Sequence, residues 1–373
     1  MYRDASVGVV MPAYNEEGFV GDVIREMPDY VDRIYAIDDQ STDGTWDEIL
    51  EAARADADSD GSSDSSREER LVADGGFSGK RATLDGGFAG ERPTLDGDIS
   101  ALAKRASVRD PIGRVVPIQH RENLGAGGAI KTGYLAALED GVDATVTVDA
   151  DGQMDLSQMT RLLDPIADGE ADYAKGNRLL SREYRAAMPR FRFVGNAILT
   201  FLTKIASGYW KTMDPQNGYT AISNDALEAV DLENLYEYYG YCNDLLVKLN
   251  VHGMRVADVA MPAVYGDEES SIQYSSYIPK VSTMLLQNFL WRLKTKYLAL
   301  DFHPLALFYL VGAGLAGAGV LATGTTLLAA VSSLGALVGG STTVLLLVAG
   351  IAFLLFAMVF DMAESEHLET QVQ

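Results

Sequence analysis

Between His303 and Phe360 the chain carries no aspartate, glutamate, lysine or arginine. A helix that crosses a bilayer needs about 20 apolar residues. The block offers two such stretches, Pro304 to Thr326 and Thr342 to Phe360. Ser332, Ser333, Gly335, Gly339, Gly340 and Ser341 lie between them and predict a hairpin connection. A buried helix pair in a soluble domain would keep a polar stripe for water, and neither stretch has one. The expectation is a two-helix transmembrane hairpin over 303–361, followed by an acidic tail, 362–373. Arg292, Lys294 and Lys296 precede the first span and the connection is uncharged, so the positive-inside bias puts both flanks in the cytoplasm. No signal-peptide pattern precedes the first apolar strand, which agrees with a multi-pass protein of the cell membrane whose bulk is cytoplasmic.

The rest of the chain is the opposite in character. Asp and Glu total 53 against 30 Lys and Arg, a formal charge of -23, yet from Ser270 to Phe360 the sole carboxylate is Asp301. So acidic a balance argues against a nucleic-acid partner, which needs clustered Lys and Arg. A surface of this kind resembles those of salt-loving archaea, where dense carboxylates keep a protein hydrated. The single cysteine, Cys242, excludes a disulfide framework and fits a reducing compartment. Residues 271–302 carry Lys280, Arg292, Lys294 and Lys296 interleaved with Phe289, Trp291 and Tyr297. This reads as an amphipathic helix on anionic headgroups, with a core helix bearing a basic rim as the alternative. Residues 55–111 read as a low-complexity, disordered insertion. They hold a tandem repeat of eleven residues, Asp74 to Leu84 and Asp85 to Leu95, identical at eight positions.

Residues 1–54 and 112–270 alternate short apolar runs with helical patterns. Val7–Met11, Arg33–Ile37, Val115–Gln119 and Ala144–Val148 predict strands of a mostly parallel sheet in an α/β domain, with ligands at the strands' C-terminal ends. Polar clusters follow them: Pro12-Ala13-Tyr14-Asn15-Glu16-Glu17, Asp38-Asp39 with Ser41-Thr42-Asp43-Gly44, and Asp149-Ala150-Asp151. Two carboxylates two residues apart at a strand end present hard oxygen donors for Mg²⁺ or Mn²⁺, and Gln153 and Asp155 extend the run. Such an ion would bridge diphosphate oxygens and stabilise a departing nucleotide diphosphate. Each residue has a plainer role open to it: Tyr14 could pack, Asn15 could cap the next helix, and Arg178 could pair with a surface carboxylate.

In order along the chain stand VVMPAYNEE (Val9–Glu17), IDDQSTDGT (Ile37–Thr45), ENLGAGGAIKTG (Glu122–Gly133), DADGQ (Asp149–Gln153), GNR (Gly176–Arg178), DPQNGYTAIS (Asp214–Ser223) and YCNDLL (Tyr241–Leu246). The joint pattern resembles the inverting family 2 glycosyltransferases of GT-A fold, especially the dolichyl-phosphate mannose synthase-like branch. The resemblance runs from Val7 to about Ile272 apart from the insertion. It implies a GT-A catalytic domain in which Pro12, Tyr14, Asn15, Glu16, Ile37 and Asp39 hold the nucleotide. It places the metal and diphosphate on Asp149, Ala150, Asp151 and Gln153, with Asp151 and Gln153 the direct ligands. Arg178 and Arg192 would grip phosphate, as a bidentate guanidinium can. Asp244 stands where relatives place a base for a hydroxyl acceptor. A lipid phosphate is already ionised, and Asp244 would then position rather than abstract.

Two departures qualify the resemblance. Tyr265 to Ser271 (YGDEESS) stands where the dolichyl-phosphate mannose synthases carry an R-x-x-G-x-S-K-like stretch, with tyrosine and serine in place of the arginine and lysine. Gln287-Asn288-Phe289-Leu290-Trp291-Arg292 differs in order and spacing from the Q-x-x-R-W of processive synthases. With two spans there is no conduit for a growing polymer. The implied activity is transfer of one hexose from a UDP- or GDP-sugar to a polyprenyl (dolichyl) phosphate, for protein glycosylation or surface glycan assembly. The alternatives are extension of a lipid-linked saccharide at a hydroxyl, and a non-catalytic nucleotide-sugar-binding membrane subunit.

Overall fold

The computed structural model describes residues 1–60, 101–180, 190–261, 274–300, 302–329 and 335–372. The strands, in chain order, are β1 (Val7–Ala13), β2 (Arg33–Asp38), β3 (Ala106–Val108), β4 (Val115–His120), β5 (Ala144–Thr147), β6 (Tyr173–Asn177), β7 (Thr220–Ser223), β8 (Val256–Ala260) and β9 (Glu369–Val372). The helices are α1 (Val20–Glu26), α2 (Thr45–Asp60), α3 (Ala101–Arg105), α4 (Gly125–Asp140), α5 (Met159–Ala167), α6 (Arg190–Ser207), α7 (Asn224–Ala229), α8 (Tyr241–Val251), α9 (Tyr274–Lys294), α10 (Leu305–Ala329) and α11 (Gly335–Ser365).

Alternation along the inner strands explains why they pair as they do. Val7, Val9 and Met11 of β1 and Ile34 and Ala36 of β2 enter one apolar core. Val10, Tyr35 and Ile37 enter the other, on the opposite face of the sheet. Strands apolar on both faces must be covered on both, which is the setting of a parallel sheet flanked by helices. The strands form one sheet in the order β3-β4-β2-β1-β5-β7-β6-β8-β9. Only β3 and β7 run against their neighbours. The expected α/β, mostly parallel fold is present, and the ends of β1, β2, β4, β5 and β6 open on one edge.

Three boundaries differ from the sequence reading. The edges of the expected insertion are folded: α2 continues to Asp60, and Ala106–Val108 pairs with Ile118–His120 of β4. The repeat, Asp74 to Leu95, lies outside the described residues. The second difference is the expected tail. Leu368 is buried, and Glu369–Val372 lies parallel to Val256–Val259 as a strand of the same sheet. The charge of this segment conceals an alternation that lets Val372 pack on the core while Glu369 reaches a neighbouring loop.

The third concerns α9. The sequence pattern assigns its cations to headgroups, but Arg292 is fully buried. Its guanidinium donates to the carbonyls of Ala206 at 2.8 Å and Ile205 at 3.0 Å, at the C-terminal end of α6. Lys296 donates to Asn250 O and Oδ1 at 3.1 and 2.9 Å, near the end of α8. Unpaired carbonyls at helix C-termini attract cations, and this outcompetes solvent here. Burial and the nearby Arg292 charge push the Lys296 ammonium down to about 8. Leu286, Leu290 and Trp291 instead point outward from α9, while Lys294 and Lys280 stay exposed.

Two helices, Leu305–Thr326 and Gly340–Leu368, are long and apolar enough to cross a membrane. Their most apolar windows are only 28% and 17% buried, whereas a soluble core helix would be mostly covered. They pack as an antiparallel pair with glycines at the seam. A Cβ at Gly312 would meet Leu354 N at 2.9 Å, and one at Gly319 would meet Leu347 N at 3.0 Å. Close backbone approach through small residues is how helices associate without a hydrophobic drive between them. Gly335 and Gly339 lie within α11 rather than in the connection.

Candidate active site

β5 ends at Thr147, and its neighbour β1 ends beside it, with Val148 N donating to Val10 O at 3.0 Å. The chain then turns outward through Asp149-Ala150-Asp151-Gly152. Gly152 takes φ +71°, a left-handed conformation that a side chain would strain. Asp151 accepts the Gln153 backbone N–H at 3.0 Å, which fixes the turn. Asp149, Asp151 and Gln153 line a cleft of about 200 Å³ together with Arg178, Asn217 and Tyr219.

Among the described residues no lysine or arginine forms an ion pair with Asp149 or Asp151. Burial and then the Asp151 charge push the Asp149 carboxyl up to about 7. Two recessed carboxylates without a cation are electrostatically incomplete, and a bound divalent ion would complete them. The donor set fits Mg²⁺ or Mn²⁺: hard oxygens, two carboxylates and an amide. There is no cluster of three or more His, Cys, Asp or Glu among the described residues. Such ions are commonly held by one or two carboxylates, with substrate phosphates and water filling the remaining positions.

Opposite this turn, β6 ends at Asn177 and delivers Arg178. The guanidinium Nε and Nη2 donate to Asp214 Oδ2 and Oδ1 at 2.7 and 2.8 Å, and Arg178 N donates to Oδ2 at 3.1 Å. Asp214 is 1% exposed and Arg178 28%. Burial alone would raise the Asp214 carboxyl, but the Arg178 hydrogen bonds and charge hold it below the usual carboxylate range. Beneath the pair, Lys175 Nζ sits 2.9 Å from Asp258 Oδ1, and Asn177 also bonds Asp258. Gly176 lets Asn217 pack closely, since a Cβ there would meet Asn217 Nδ2 at 2.7 Å and displace it. The GNR and DPQN motifs thus form one rigid wall of the cleft.

The expected nucleotide residues occupy the adjoining loops. Tyr14 is 47% exposed. Asn15, at φ +58°, accepts from Thr42 N at 2.8 Å and donates from its own N to Ser41 Oγ at 3.0 Å. Glu16 N donates to Thr45 Oγ1 at 2.8 Å, so the PAYNEE and STDGT loops are tied together. Pro12 is half-buried at the end of β1. The side chains of Ile37 and Ala150 are buried in the core. Asp39 is 3% exposed and its oxygens accept hydrogen bonds. They accept Leu124 N and Gly125 N, each at 2.8 Å, at the start of α4, with His120 Nδ1 2.6 Å from Oδ1. It orders the ENLGAGG turn rather than presenting a free carboxylate.

Asp244 lies away from the cleft lining. It is 3% exposed and accepts Tyr236 N at 2.9 Å and Asn288 Nδ2 at 2.6 Å, with Lys248 Nζ at 3.2 Å. A carboxylate so enclosed orders the loop before α8. Arg192 lies in α6, with its side chain outside the described residues, as does Tyr265 to Ser271.

Sequence reasoning assigns no role to Asp214, Asn217 or Tyr219, although all three lie in a quoted motif. It also misses Glu237, whose Oε1 accepts from Arg105 at 2.6 Å and Lys131 at 2.9 Å. Burial would raise the Glu237 carboxyl, but Lys131 and Arg105 hold it below its usual value. This bridge joins the folded edge of the insertion to α4.

The family model described as glycosyl transferase family 2 matches residues 8–68 and 99–231, more than half of the chain. The chain belongs to glycosyl transferase family 2. Over 152 residues it is 32% identical to the UDP-N-acetylglucosamine–dolichyl-phosphate N-acetylglucosaminyltransferase of Methanococcus voltae, covering 41% of this chain and 60% of that relative. It is 29% identical over 184 residues to the polyprenol monophosphomannose synthase of Mycolicibacterium smegmatis, covering 47% and 65%. The matches thus span less than two thirds of these curated relatives. Among solved structures, glucosyl-3-phosphoglycerate synthase from Mycobacterium tuberculosis, in complex with Mn²⁺, UDP and glucosyl-3-phosphoglycerate, superposes with a TM-score of 0.46 at 16% identity, covering 78% of this chain and 80% of that one.

Proposed function

We propose that this family 2 member moves one hexose or hexosamine from a nucleotide diphosphate sugar to a polyprenyl phosphate at the cytoplasmic face of a membrane. The observation that carries the reading is the cleft that sets Asp149 and Asp151, which have no ion-pair partner among the described residues, opposite Arg178 and its partner Asp214. One wall suits a cation-bridged diphosphate and the other suits a phosphate oxygen. The activities named for the Methanococcus and Mycolicibacterium relatives support a polyprenyl phosphate acceptor.

In this reading Asp149, Asp151 and Gln153 hold Mg²⁺ or Mn²⁺, which when bound neutralises charge on the leaving diphosphate. The PAYNEE and Asp38–Thr45 loops cradle the nucleotide. Arg178, fixed by Asp214, orients a phosphate. The acceptor phosphate oxygen attacks the anomeric carbon in line. The bond from that carbon to the donor phosphate oxygen breaks, the configuration inverts, and the nucleotide diphosphate departs with the bonding pair. An ionised phosphate brings no proton to be removed, so the enclosure of Asp244 is compatible with this chemistry and disfavours a hydroxyl acceptor.

The two apolar helices anchor the enzyme, and the outward Leu286, Leu290 and Trp291 lie against lipid, bringing the cleft to the acceptor's headgroup. The surplus of carboxylates on the water-facing body adapts it to concentrated salt, so activity and solubility rise with KCl. Protein glycosylation or surface glycan assembly would consume the product. The test is transfer by the purified protein in lipid, supplied with UDP- and GDP-sugars and either dolichyl phosphate or a glycosylated dolichol. A monoglycosyl phosphate product supports the reading, and product on the hydroxyl acceptor alone refutes it.

A further inference from the structure

The chain leaves the second apolar helix and re-enters the catalytic sheet within a few residues. Asp361 pairs with Arg292 at 2.7 Å, Ser365 Oγ accepts from Asn250 Nδ2 at 3.3 Å, and Leu368 is buried in the core. Glu369 then begins β9 opposite Val256 of β8. Its carboxylate is turned onto the neighbouring loop. Oε1 accepts Trp210 N at 2.8 Å, and Oε2 accepts Lys211 N at 2.7 Å and Thr212 N at 2.8 Å, with Thr212 Oγ1 at 3.3 Å. Gln371 Nε2 donates to Lys211 O at 3.2 Å from the same strand.

Three consecutive backbone N–H groups converging on one carboxylate fix the path of the chain through those residues. The next two residues lie behind the cleft lining, where Asp214 holds Arg178. Met213 N donates to Asp258 Oδ2 at 2.9 Å, and Met213 O accepts from Lys175 Nζ at 2.5 Å. Asp214 follows at φ +50°, a left-handed conformation that an aspartate tolerates but rarely adopts unaided. In that conformation its carboxylate meets both the backbone and the guanidinium of Arg178.

We propose that Glu369 is a positioning residue. By holding Trp210–Thr212 it sets Asp214 and, through it, Arg178, so that the segment following the membrane hairpin shapes the phosphate side of the cleft. The proposal rests on the transferase reading for the role of Arg178, but the geometry it predicts can be measured without turnover. Because Asp361 and Glu369 flank one short segment, seating of the hairpin and alignment of the cleft are mechanically joined.

The experiment uses the full chain in lipid nanodiscs and compares wild type with Glu369→Ala and Glu369→Gln. It reads amide hydrogen exchange together with transfer kinetics. Glu369→Ala is expected to speed exchange at Lys211, Thr212 and the Arg178 amide by about tenfold or more, with β1 and β2 unchanged. Transfer should lose about tenfold in kcat/KM, through KM for a phosphate-bearing substrate more than kcat, and Glu369→Gln should recover most of it because one acceptor oxygen remains. Unchanged exchange at Arg178 overturns the proposal. So does a uniform loss of protection across the sheet, or faster exchange with unaltered KM. If wild type transfers no sugar, the proposed function fails, and exchange at Arg178 alone decides the positioning role.

Discussion

The cleft and the membrane junction both enclose carboxylates, and they treat them in opposite ways. At the junction Asp361 is fully buried and satisfied: Arg292 Nη1 and Nη2 donate at 2.8 and 2.7 Å, and Tyr297 OH at 2.9 Å. In the cleft Asp149 and Asp151 form no ion pair with a lysine or arginine among the described residues, and the Asp149 carboxyl rises to about 7. A paired carboxylate holds structure together, whereas an unpaired set marks a place for something that arrives from outside. Asp244 falls on the structural side by this criterion, although its sequence position suggests chemistry.

The comparison breaks first if the cleft carboxylates prove dispensable. Asp151→Ala is expected to lower transfer by more than about a hundredfold, exceeding the loss usual for residues that only support a metal ligand, while thermal unfolding shifts little. Retained activity would contradict the assignment. Arg292→Met is expected to have the reverse profile. Removing one partner of a buried ion pair costs about 3–5 kcal/mol, read as a lower unfolding temperature in nanodiscs. The double variant Arg292→Met/Asp361→Leu should regain much of that, and no recovery would mean that the pair contributes more than mutual neutralisation.

Smaller effects sharpen the contrast. Asp244→Asn keeps one acceptor oxygen and is expected to cost about 1–3 kcal/mol of stability with transfer to lipid phosphate largely intact. A loss of activity without loss of stability would move Asp244 to the catalytic side. Of similar size is the thermal shift on adding Mn²⁺ after chelation. Binding to the native state alone at about 100 times Kd stabilises by about 2.7 kcal/mol, and Asp151→Ala should abolish that gain.

The inner sheet was legible because its strands alternate or run apolar and end in recognisable polar clusters. That Asp149, Asp151, Gln153 and Arg178 would come together was legible because their motifs sit directly at strand ends, which the parallel fold brings to one edge. A motif fixes position along the chain, not which way a side chain turns: that the bare N–H groups at the start of α4 hold the Asp39 carboxylate is not written in the sequence. Arg292 misled, because α6 and α8 end beneath α9 and their carbonyls attract the cations that a helical pattern alone assigns to headgroups. Glu369 and β9 were invisible for a different reason. A four-residue strand pairing with one more than a hundred residues earlier carries no local signal, and its Glu and Thr read as tail.

The most direct measurement is mass spectrometry of lipid extracts after incubating purified protein in nanodiscs with dolichyl phosphate, Mn²⁺ and a panel of UDP- and GDP-sugars. The account predicts one donor giving a dolichyl phosphate heavier by a single sugar, with product lost on chelation and in Asp151→Ala. Binding of nucleotide without any glycosylated phosphate from any donor would contradict it.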